Sequence, residues 1–122
     1  MDKQKQLQQW QHWLGLDDWS IKLEDECAPY NMSMENVAGC TVWQESIKAA
    51  TIEILDPKYY GERMVPFNWE KTLVHELLHL KTCLVSSNVD DLQERYMHQM
   101  IDDLARAFVA VKGVGHGSHT KG

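Results

Sequence analysis

The sequence predicts a single α+β domain, built from an N-terminal helix, a small antiparallel-rich sheet of about three strands, and two further helices. Three observations predict it. Apolar residues recur at helical spacing near the start, the middle and the end of the chain, and alternate with polar ones in the stretch between. At 122 residues, 43% of them hydrophobic and 25% charged, the chain holds enough material for one core and too little for two.

Residues 3–14 place Leu7, Trp10 and Leu14 one helical face apart, and Gly15 offers a stop. From Trp19 to Glu24 apolar and polar residues alternate strictly, the mark of a strand with one buried face. Pro29, Asn31 and Ser33 make residues 27–36 a loop. Two β-prone runs follow, Gly39 to Gln44 and Ile47 to Leu55, the second carrying Ala50, Ile52 and Ile54 on one face. A meander is the simplest way to join the three strands. Residues 56–67, with Asp56-Pro57, Gly61 and Pro66, are turn-rich. Asn68 then caps a helix whose Trp69, Leu73, Leu77, Leu80 and Leu84 keep close to a 3.6 period. Ser86, Ser87 and Asn88 break it, and Asp90-Asp91 open a last helix with Met97, Ile101, Leu104, Phe108 and Val111 as its inward stripe. The domain is expected over 1–111. Gly113, Gly115, Gly117 and Gly122 predict a flexible tail over 112–122.

Composition excludes several classes of function. No apolar run approaches the roughly 20 residues that span a bilayer, so no membrane partner is expected. A net charge of -6 offers no basic stripe, so no nucleic acid is expected either. Met1 to Gln6 lack an apolar secretory segment, and Cys27, Cys40 and Cys83 are odd in number without CxxC spacing; both point to the cytoplasm. Trp10, Trp13, Trp19, Trp43 and Trp69 read as core, since no basic residues interleave them.

The second stretch of helical spacing carries the chemistry. His75-Glu76-Leu77-Leu78-His79 is H-E-x-x-H on a predicted helix. Histidines four apart are offset by about 40° and about 6 Å along the axis, so both rings can reach one ion. Glu76 projects beside them, where it can take a proton from a zinc-bound water whose pKa falls from 15.7 to about 7. The alternative is a surface helix with two solvated histidines, and Leu73, Leu77 and Leu80 argue against it because they bury this helix.

A catalytic zinc takes three protein ligands and leaves one position open. The last helix offers His98 and, four residues earlier, Glu94. His98 is the preferred third ligand, with Glu94 the alternative, and Asp102 is placed to hold a ligand histidine in its tautomer. Cys83 lies about 12 Å along the axis from His75, too far to share its ion, and reads as a packing residue. His12, His116 and His119 read as solvated, and Tyr59, Tyr60 and Tyr96 are each possible donors to an oxyanion.

With these residues in place, the sequence resembles the zincin metallopeptidases, and within them the gluzincin plan of H-E-x-x-H followed by E-x-x-x-D on the next helix. The departure is His98, which stands where gluzincins have Glu. Residues 19–110 are similar to the compact minigluzincin-like form found in small phage or bacterial proteins. The resemblance implies a zincin-like fold, one Zn2+ held by His75, His79 and His98, Glu76 as general base and Asp102 as support. It also implies an edge strand just before the active-site helix, here Ile47 to Leu55, that pairs with an extended substrate. The function expected is hydrolysis of a peptide or protein substrate. Two alternatives remain open, a non-catalytic zinc-binding interaction domain of the same fold and an ImmA-like protease that cleaves a repressor.

Overall fold

Asp2 accepts from the backbone N–H of Lys5 and so caps the first helix, α1 (Lys3–Trp13); Leu14 closes it and Gly15, at φ +70°, turns the chain away. The structure, a computed structural model, describes residues 2–61, 65–83 and 89–121, with side chains as far as residue 113. The strands are β1 (Ser20–Cys27), β2 (Gly39–Gln44) and β3 (Ala49–Leu55). Helix α2 (Trp69–Lys81) is capped by the Asn68 side chain on the N–H of Lys71, and α3 (Asp91–Lys121) is the last element. The result is an α+β fold with, among the described residues, three helices on a three-stranded mixed sheet.

The sheet corrects the expected meander. Its order is β1-β3-β2, with β1 parallel to β3 and β2 antiparallel to it. β3 takes the middle because Ala50, Ile52, Ile54 and Leu55 are all buried, which makes it the strand with most to lose from solvent. Consequently the expected substrate edge at Ile47 to Leu55 is not an edge. Both sides of β3 are paired, Ile47 belongs to a 3-10 turn, and Lys48 adopts the left-handed region at φ +49°. β1 also runs three residues past Glu24, through an irregularity at which Glu26 has φ +52°.

The core lies between the sheet and the helices. Leu7 and Trp10 of α1, Ile52 and Ile54 of β3, Leu73, Val74, Leu77 and Leu80 of α2, and Ile101 and Ala105 of α3 form one cluster. Trp10 and Trp19 join it as expected, whereas Trp13 and Trp43 are exposed. The inward stripe of α3 also differs from expectation: Met97, Ile101, Ala105, Phe108 and Val109 face the body, while Leu104 and Val111 point outward. Ala105, fully buried in the core, takes the inward place expected of Leu104. The α3 backbone continues to Lys121, beyond the residue 111 boundary read from the glycines. Leu84, Ser86, Ser87 and Asn88, read as a helix end and break, lie outside the described residues, as do the side chains of His116 and His119.

Two polar ties fasten the helices to this frame. The Trp10 indole N–H donates to Glu70 on α2 at 2.7 Å, and Lys112 of α3 pairs with the same carboxylate. Asp25 of β1 accepts from Lys3 at 2.5 Å and from the Trp69 indole at 2.9 Å. Each joins elements distant in sequence through a partly buried charge-assisted bond.

Candidate metal centre

Leu73, Leu77 and Leu80 bury one face of α2 against β3, and that fixes the roll of the helix. His75 and His79 consequently emerge together toward α3, with ring centroids 5.0 Å apart. Ile101 and Ala105 dock α3 on α2, which brings His98 to 4.8 Å from the His79 ring. One ligating atom from each of His75, His79 and His98 lies within 4.8 Å of the other two. The three residues chosen as ligands from spacing are thus one cluster. Glu94, the alternative, does not join that group; its Oε1 lies 3.7 Å from His98 Nε2, at the rim.

Asp102 is where the spacing placed it. Its Oδ1 lies 3.4 Å from His75 Nδ1, which leaves Nε2 of that ring to face the cluster. The same carboxylate is held by two cations that sequence reasoning missed, Lys71 at 2.6 Å and Arg106 at 2.5 Å. Burial pushes the Asp102 carboxyl up, but Lys71 and Arg106 outweigh it and hold it below the usual carboxylate range. Lys71 sits one turn before His75 and Arg106 one turn after Asp102, so i,i+4 spacing was the signal available for both.

Glu76 is almost fully buried at the wall of the cleft. Burial raises its carboxyl to about 7, against a hydrogen bond from Thr41 that lowers it. The Thr41 hydroxyl donates to Oε1 at 2.7 Å. Gly39 stands against Oε2: a Cβ there would lie 3.0 Å from that oxygen and 2.7 Å from Thr72 Cγ2. Glycine is needed at this position for a close approach of strand to helix. Neither contact was legible beforehand, because both depend on β2 crossing α2.

The His75 and His79 imidazoles are held neutral. Burial lowers His79 to about 4, helped by the neighbouring His75 and His98, and burial lowers His75 against the opposing pull of Asp102. Neutral nitrogen is the form that ligates a metal.

The cluster opens into a cleft of about 480 Å³, whose walls include Met34, Val37, Gly39, Thr41 and Trp43 besides the histidines, Glu76 and Glu94. β2, not β3, borders it. Tyr59, Tyr60 and Tyr96 do not line it; Tyr60 donates instead to the Val65 carbonyl, and Tyr96 faces outward from α3. Cys83 is buried in the core and His12 is exposed beside Asp17, both as expected. Among the described residues, no helix is long and apolar enough to cross a membrane. In comparisons with known proteins, no family model matches this chain, no curated protein matches it in sequence, and no solved structure matches its fold.

Proposed function

We propose that this chain is a zinc-dependent peptide hydrolase in which His75, His79 and His98 hold the ion and Glu76 handles the proton. The observation that supports it most directly is the meeting of three ring nitrogens within 4.8 Å at an open cleft, with a buried carboxyl beside them. The donor set fits zinc, for which three neutral imidazoles and an open side are a known catalytic arrangement, while structural zinc sites are closed by a fourth protein ligand. When bound, zinc would acidify water and polarise a carbonyl oxygen.

The chain's own residues supply the rest. Asp102, braced by Lys71 and Arg106, fixes the His75 ring from behind. Thr41 holds Glu76 Oε1, which leaves Oε2 to take a proton from the attacking water and to carry it to the leaving amine nitrogen. β2 is an edge strand along the cleft, so an extended peptide pairs with its free side, past the exposed Trp43.

Cleavage of an unstructured protein, followed by mass spectrometry, tests this reading. Wild-type protein loaded with zinc is expected to cut, and Glu76→Gln to keep zinc and fold while losing at least about 100-fold in rate. Equal cleavage by both proteins would make Glu76 a structural residue and overturn the proposal.

A further inference from the structure

Two carboxylates line the metal cleft, Glu76 and Glu94, and among the described residues no Lys or Arg lines it. The carboxylates that fasten the frame are all matched by cations: Asp25 holds Lys3, Glu70 holds Lys112, and Asp102 holds Lys71 and Arg106. Glu94 differs. Among the described residues its charge partner is His98, whose Nε2 stands 3.7 Å from Oε1, and a histidine that ligates a metal is neutral. Glu94 also stands outside the ligand cluster, so it remains a half-exposed anion at the cleft rim without a cation from this chain.

Its place along the cleft follows from the directions of the elements. Asp102 meets Lys71 and His75 while His98 meets His79, so α3 runs against α2. Glu94 therefore lies one turn beyond His98, toward the C-terminal end of α2. Gly39 and Thr41 meet Glu76 on the side of the other end, where Gly39 also approaches Thr72. On the reading above, Glu76 passes its proton to the leaving amine, so the substrate beyond that amine extends past Glu76. The part that precedes the attacked carbonyl extends toward Glu94.

We propose that Glu94 selects substrates that carry an ammonium or guanidinium group on the residue whose carbonyl is attacked. Two sources supply that chemistry. A free amino end holds its nitrogen about 2.5 Å from the carbonyl carbon of the first residue, and a Lys or Arg side chain reaches further out from the same position. Either makes a charge-assisted hydrogen bond to the carboxylate. The first source gives trimming from the start of a chain, the second cutting after a basic residue. The direction of the substrate rests on the proposed hydrolysis, whereas the binding of a cation rests on the cleft alone.

Calorimetry on zinc-loaded Glu76→Gln protein tests binding apart from cleavage. The probes are pentapeptides of alanine and leucine with an amidated carboxyl end: one with a free amino end, its N-acetylated twin, and two N-acetylated forms with lysine or methionine at the centre. One cationic peptide is expected to bind at least about 10-fold more tightly than its neutral twin. Adding Glu94→Gln should abolish that difference at equal zinc content, and the pair that shows it names the source of the cation. Wild-type protein is then expected to cut directly after the cationic residue, as read by mass spectrometry. Equal binding within both pairs, or a preference that survives Glu94→Gln, would overturn the proposal and leave hydrolysis untouched. Cleavage only at bonds remote from the cation would overturn it as well. Cation-dependent binding through Glu94 with no cleavage by wild-type protein would uphold the role of Glu94 and overturn hydrolysis instead.

Discussion

Glu76 is buried yet must be free to ionise, and its surroundings show how the two demands are reconciled. One oxygen is satisfied by Thr41, and the other faces a glycine backbone rather than an apolar side chain. In metal-free protein the carboxyl titrates near 7, above its ordinary 4.5, so the folded state binds the proton more tightly than the unfolded chain. The stability this provides is full below about 4.5 and is lost as pH rises through about 7. Glu76→Gln removes the effect. Thermal or urea unfolding of the metal-free proteins should therefore agree near pH 4.5 and diverge above it, the variant becoming the more stable by on the order of 3 kcal/mol at pH 8. A constant difference across pH would contradict this. Zinc affinities give a second prediction. His98→Ala should lose the metal, Asp102→Ala should lose about 10 to 100-fold, and Glu94→Ala should change little, as read by titration against a chromophoric chelator. Loss of metal from Glu94→Ala with retention in His98→Ala would assign the ligand one turn earlier. His75, Glu76 and His79 on one helix, and His98 with Asp102 on the next, were legible as groups because spacing acts within a single helix; the meeting of the two groups was not. Gly39 and Thr41 were not, because nothing local marks which helix a strand will cross.

Among the elements, β3 carries most of the sheet's burial, since its Ile52 and Ile54 are fully enclosed while Val42 on β2 is half exposed. Ile52→Ala is expected to cost about 2–5 kcal/mol through the lost apolar contacts and the cavity left behind. Val42→Ala should cost under about 1 kcal/mol, and chemical unfolding separates the two. Similar costs would mean that β3 is not the centre of the sheet. Element positions followed closely from periodicity and caps: Asn68 starts α2, Gly15 follows α1, and β2 spans the residues expected. Pairing did not follow. Alternation reports which face of a strand is buried and is silent on its neighbour, so a parallel β1–β3 pair and a meander have the same local signature. The α3 stripe failed for a related reason. Leu104 and Val111 sit within about 60° of the buried arc, and their period alone cannot tell a core face from an exposed one beside it.

At the scale of the whole molecule, the cleft exists because two hydrophobic dockings converge. α2 packs on β3, and α3 packs on α2 through Ile101 and Ala105, so the histidines meet only in the folded chain. A metal bound by that arrangement and not by the unfolded chain must stabilise the fold, by about 4 kcal/mol at a free concentration 1,000 times the dissociation constant. Chelation should lower the unfolding temperature of wild-type protein and leave that of His98→Ala unchanged. The most direct test of the central claim is the zinc content of purified wild-type protein by elemental analysis, with stripped protein titrated alongside. The account predicts roughly one zinc per chain, removed by chelation and restored on titration. Protein that carries no zinc and takes up none would contradict it.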